Sequence, residues 1–262
     1  MEKYNLPHER TSRFEIYNGR NVDTMPKLIS DGRIPMSVAQ LMQRRIDLRN
    51  DKTGVKDFYM NNYFDTGDGV IYYPNEDVKI VRDSQTLREM GSQSQRNNGA
   101  LVIGEEAYKA IEGEVFKKGK LGKTGNWMSK ADVKAHPVWK VLAREQALLD
   151  DYADYIFTEG KKAFNYDTAM GVYPGLCGGN APEMRAWCVG RLGNRSDANG
   201  WCDLDVDLGR FVGIAPEALS AQGKGITNPL EARVQTALGS KTAFKHNGTL
   251  YVPVAETSGI RL

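Results

Sequence analysis

The sequence predicts an α+β fold: short strands and hairpins at both ends of the chain around one long central helix, with no doubly wound parallel sheet. Three observations carry this prediction. Between Pro137 and Phe164 the residues Val138, Val141, Leu142, Leu148, Leu149, Tyr152, Tyr155 and Ile156 recur at the spacing of a helix that buries one face. Short β-branched and aromatic runs flank turn residues near the front, at Val70 to Tyr73 and Val78 to Val81. They do so again near the end, around Asn247-Gly248. Nowhere do strand and helix patterns alternate in the βαβ rhythm of a parallel sheet.

Taken in order, the chain opens on a polar lead. A short strand, Phe14 to Tyr17, follows and ends at the Asn18-Gly19 turn. Thr24 caps a short helix whose first turn accommodates Pro26, and Asp31-Gly32 stops it. Ser37 caps a second helix with Val38, Leu41, Met42 and Ile46 on one side. The hairpin 70–81 turns at Pro74-Asn75-Glu76-Asp77. A polar loop, a short strand from Ala100, a helix from Glu105 and an extended piece at Gly113 to Phe116 lead into a lysine- and glycine-rich segment, 117–130. Within it Gly122-Lys123-Thr124 is not a phosphate-binding loop, because position 117 is Lys and Gly125-Asn126 breaks the helix that should follow.

A helix from Ser129 ends at His136-Pro137, where the long helix begins. After Lys161 glycine and turn residues dominate, and the reading is loops around one helix, Pro182 to Leu192. A long irregular stretch of this kind is more often functional than not. A last helix has Asn228 as cap and Pro229 first. The organisation expected is a lead and strand over 1–20, a helix pair plus hairpin over 21–83, and a main α+β domain over 99–262. One continuous domain is the alternative.

Composition narrows function only a little. Among 262 residues, 35 Lys and Arg stand against 33 Asp and Glu, which argues against coating nucleic acid by bulk charge. The N-terminus has no apolar signal core, and no apolar run approaches the ~18 residues of a membrane span. Three unpaired cysteines suit reduced thiols, so a cytoplasmic protein without membrane contact is expected. No metal site is expected either. Cys177, Cys188 and Cys202 lie eleven and fourteen residues apart, and the three His form no paired motif. No cofactor is implied.

Two function classes follow. In the first, the helix pair resembles the layout of a helix-turn-helix reader, with a hairpin behind it. Arg33, Arg44, Arg45 and Arg49 on the helices, with Lys118, Lys120 and Lys123 in the basic loop, would contact phosphates. Solvated surface helices and a solvated loop are the plainer alternative. In the second, a hydrolytic enzyme uses Asp68, Asp77 and Lys79 of the hairpin or Glu145 of the long helix, with a pocket in the Gly-rich 171–200 region. Glu145 falls near the middle of the apolar face, so it must be paired, protonated or functional. Pairing with Arg185, Arg191, Arg195 or Arg210 is favoured over a catalytic role. The nucleic-acid reading leads, and a partner-binding or structural subunit has no positive signature.

Overall fold

A computed structural model describes residues 13–216 and the short strands 244–246 and 249–251. The predicted helix from Asn228 lies outside the described residues. Two compact units are distinguished, residues 1–216 and residues 217–262.

The first unit starts with β1 (Phe14–Asn18), α1 (Asn21–Ser30), β2 (Ile34–Pro35), α2 (Val38–Asp47) and α3 (Val55–Asn61). A central hairpin, β3 (Phe64–Tyr72) and β4 (Val78–Val81), follows, then α4 (Gln85–Arg88), β5 (Arg96–Asn97) and β6 (Ala100–Val102). Next come α5 (Glu105–Ala110), β7 (Glu114–Phe116), α6 (Lys130–Ala135), α7 (Pro137–Ala143) and α8 (Gln146–Phe164). The unit closes with β8 (Val172–Tyr173), β9 (Glu183–Val189), β10 (Ala198–Asn199) and β11 (Arg210–Ile214). In the second unit β12 (Phe244–His246) and β13 (Thr249–Tyr251) pair antiparallel, and the predicted Asn247-Gly248 turn lies outside the described residues.

Eleven strands of the first unit form one mixed sheet whose centre is the antiparallel pair β3 and β9. The outer edge of β3 is shared: β11 pairs with it in parallel at Asp65, and β4 pairs antiparallel from Gly69 to Tyr72. The register shifts between those two stretches, at residues 66–68, where β3 changes neighbour. The far edge of β9 is likewise divided, between β10 at Cys188–Val189 and β6 at Glu183–Met184.

One face of the sheet presents Ile71, Met184, Ala186 and Phe211 to Val22, Met25 and Leu28 of α1 and Leu87 of α4. The other packs beneath α2 and its neighbours, where Phe64 stacks on Tyr59 of α3. Ser37 caps α2 as predicted, and Gln40 completes a reciprocal capping box.

The predicted fold class is therefore corrected. The protein is organised on a large mixed sheet rather than on a central helix between hairpins. The helix expected over 137–164 is two. Arg144 takes φ +68°, α7 stops there, and exposed Glu145 stands at the N-cap of α8. The guanidinium of Arg144 accounts for the break, because it reaches Asp68 at 3.1 Å and Asp83 at 2.9 Å. The helix expected over 182–192 is in fact β9, the centre of the sheet. Every residue of β9 is buried, so its two faces carry no apolar–polar alternation, and a short run of that kind resembles a buried helix.

Candidate functional site

Two adjacent central strands hold a set of loops through buried polar side chains. The Tyr72 hydroxyl, at the end of β3, donates to the Gly200 carbonyl at 2.9 Å and accepts the Gly175 N–H at 2.7 Å. Burial pushes the Tyr72 phenol well above its ordinary pKa, so it stays neutral and keeps its donor. A Cβ on Gly200 would stand 2.2 Å from that hydroxyl, which excludes any larger residue while Tyr72 is in place.

On β9, Glu183 and Arg185 point the same way as Trp187. Glu183 accepts from Asn97 Nδ2 at 2.6 Å and from the Gly178 N–H at 2.8 Å. Arg185 donates to the carbonyls of Asn98, Trp201 and Cys202 and pairs with the Asp203 carboxylate. Both side chains are almost fully buried, and these bonds offset the cost of burying their charges. Segments 95–99, 174–182 and 199–204 are thus fastened to one platform of Tyr72, Glu183 and Arg185.

These loops carry exposed apolar side chains beside polar ones such as Asn180 and Asp207. Among the described residues eight large hydrophobic side chains are exposed, and four of them, Leu176, Trp201, Val206 and Leu208, lie in the two stretches 174–182 and 199–209. Leu176 is 64% exposed, Trp201 53% and Leu208 70%. Two acids of the second stretch are ion-paired: Asp203 with Arg185, and Asp205 with Arg96 at 3.5 Å.

The residues singled out in the sequence lie elsewhere. Asp68 is buried in the shifted stretch of β3, where it accepts the N–H groups of Val38 and Asp83 and pairs with Arg144. Burial raises its pKa, and Arg144 opposes the shift. Asp77 is held by Lys117 at 2.8 Å, a bond that lowers its pKa. Lys79 donates to the carbonyls of Tyr108 and Ile111, and burial lowers its pKa. Each of the three has its own partners, and no bond joins one to another. Glu145 is exposed, and the arginines expected beside it are engaged elsewhere: Arg185 with Asp203, Arg195 with Thr168, Arg191 with Asn194, Arg210 with Asn18 and Asn62.

The arginines assigned to phosphates are mostly turned inward. Arg45 is 1% exposed and makes five hydrogen bonds, to the carbonyls of Tyr59, Asn62 and Gly190 and to the hydroxyls of Tyr152 and Ser196. Arg44 lies over the rings of Phe14 and Tyr59, and Arg33 pairs with Glu15. Arg49 bonds Asp151, and Lys118 bonds Glu76. Lys120 and Lys123 are exposed on the loop. Between α1 and α2 the chain does not turn freely, because β2 hydrogen-bonds to β11 in the sheet.

This sheet and its loop set have the C-type lectin fold. A solved structure, described as the accommodation of massive sequence variation in Nanoarchaeota by the C-type lectin fold, superposes with a TM-score of 0.59 at 16% sequence identity. The superposition covers 79% of this chain and 99% of that one. No family model matches the chain, and no curated protein matches it. The fold, together with the inward-turned arginines, overturns the nucleic-acid reading and its helix-turn-helix layout: α1 and α2 are packing elements of a sheet-rich domain. No helix among the described residues is long and apolar enough to cross a membrane.

The sequence flagged the Gly-rich region, and Arg185 only as a partner for Glu145, but not Tyr72, Glu183, Leu176, Trp201 or Leu208. The one available signal was Trp201 in a stretch rich in glycine and aspartate, where a large aromatic has no core to enter.

Proposed function

We propose that the protein is a binding domain whose recognition face is formed by the loops 174–182 and 199–209. The ligand class is a protein or peptide surface with exposed apolar side chains. The observation that carries this reading is the exposure of Leu176 and Trp201 on segments fastened from beneath by Tyr72, Glu183 and Arg185, with Val206 and Leu208 exposed further along the second stretch. Such loops bind with little ordering cost, because their conformation is set before the ligand arrives.

The likeness to a structure described as accommodating massive sequence variation supports a division of labour within this chain. The exposed loop side chains are free to change, while Tyr72, Glu183 and Arg185 are not.

The test is panning of a displayed random dodecapeptide library on the full chain, with counter-selection on the Leu176→Ser/Trp201→Ser/Leu208→Ser variant. Peptides enriched on the parent should lose binding at least about tenfold on the variant, which is roughly 1.4 kcal/mol or more. Enriched peptides that bind the folded variant as well as the parent would place recognition elsewhere.

A further inference from the structure

Beneath the exposed loop, Asp65, Cys188 and Cys202 meet. One carboxylate oxygen and the two Sγ atoms all lie within 4.8 Å of one another, the one group of three such ligands among the described residues. The three come from β3, β9 and the loop after β10. Asp65 and Cys188 face each other directly across the central strand pair, which is why spacing along the chain conceals the cluster. We propose that this cluster is a binding site for a zinc-class divalent cation, which ties the loop at Cys202 to the two central strands.

The donor set suits such an ion. Two sulfurs and one carboxylate oxygen around tetrahedral zinc, at about 2.3 and 2.0 Å from it, stand about 3.5 to 3.8 Å apart, so the side chains need close by only a fraction of their present spacing. Charge suits it as well. Two thiolates and a carboxylate carry three negative charges, a divalent ion leaves one, and Arg210 beside Asp65 balances it. On binding, each thiol gives its proton to bulk water as the sulfur–metal bond forms, so no oxidant or reductant is needed.

Asp65 is oriented for the task. One of its oxygens is fixed by the Arg210 N–H at 2.9 Å, an outer-shell bond of the kind that aims a carboxylate ligand. The Arg210 guanidinium is drawn aside by Asn18 and Asn62 and does not form the salt bridge that would occupy Asp65. Asn21, 1% exposed, faces the same carboxylate, and its own amide oxygen has no hydrogen-bond partner. Cys202 is only partly buried and provides the way in, leaving the fourth position to water.

The experiment titrates the reduced full chain with Co²⁺ alone under anaerobic conditions. The expected result is one equivalent bound, with a thiolate-to-cobalt charge-transfer band and tetrahedral d–d absorption that Zn²⁺ abolishes by displacement. A raised Tm should accompany Zn²⁺. Cys202→Ser and Asp65→Asn should each weaken binding about tenfold or more, while Cys177→Ser retains the band. Should Cys188→Ser fail to fold, the partly exposed Cys202→Ser still decides the matter. Absence of the charge-transfer band in the reduced parent would overturn the proposal. So would a band that survives Cys202→Ser unchanged, or a Cys188–Cys202 disulfide persisting under reductant with no cobalt bound.

Discussion

The Tyr72 hydroxyl joins Gly175 and Gly200, two loop residues that the fold brings to one buried atom. Removing that oxygen leaves a carbonyl and an N–H without partners in a site closed to water. Tyr72→Phe should therefore cost about 1–3 kcal/mol, a Tm loss of roughly 2–10 °C for a unit of this size. Hydrogen exchange localises the effect: protection should fall at Gly175 and around Gly200 before it falls in β3. Uniform loss of protection along β3 and β9 would show that the hydroxyl supports the sheet rather than the loops.

Arg45 is a structural hub, and its removal should be more damaging than that of any exposed arginine. Arg45→Met keeps the stem but strips the guanidinium from three interior carbonyls, while the Tyr152 and Ser196 hydroxyls keep only their bond to each other. The expected loss is about 3–5 kcal/mol, against at most about 0.5 kcal/mol for Arg191→Met on the surface. Denaturant unfolding of the two variants measures the difference, and equal midpoints would contradict the role given to Arg45.

Stability should depend on pH through Asp197. Burial raises its pKa to about 6, against about 3.9 in an unfolded chain. Between those values the native state holds a proton that the unfolded state has released. Its contribution is therefore complete below about pH 4 and is lost as pH rises through about 6. Asp77 and Asp154, whose pKa values are lowered by lysine partners, act in the opposite sense and lose their contribution as pH falls. Thermal melts of the parent and of Asp197→Asn separate these effects. The variant should gain on the parent between pH 4 and pH 7, and a gap independent of pH would refute the assignment.

How much of this was legible in the sequence follows from where each signal resides. The Ser37 capping box, the Pro74–Asp77 turn and the His136-Pro137 break are local chemistry, and each stands where the residues put it. The break at Arg144 is not local, because it answers to Asp68 and Asp83 some sixty and more residues earlier in the chain. Strand β9 was hidden by its own burial. Glu183 and Arg185, which fall in the helix expected over 182–192, are interior groups of a strand whose partners arrive from three loops. The candidate face was visible only as a glycine-rich stretch. Nothing in its spacing shows that Gly175 and Gly200 share a tyrosine, or that Cys188 and Cys202 meet at Asp65.

In the function proposed above, a fixed polar platform carries a changeable apolar face. The most direct measurement compares two libraries of the full chain displayed on yeast, sorted for clones that resist protease. One library randomises Leu176, Trp201, Val206 and Leu208, and the other randomises Tyr72, Glu183 and Arg185. The first should keep most clones folded, because exposed positions change stability by no more than about 0.5 kcal/mol each, while the second should retain almost none. Equal survival of the two libraries, or better survival of the second, would contradict the account.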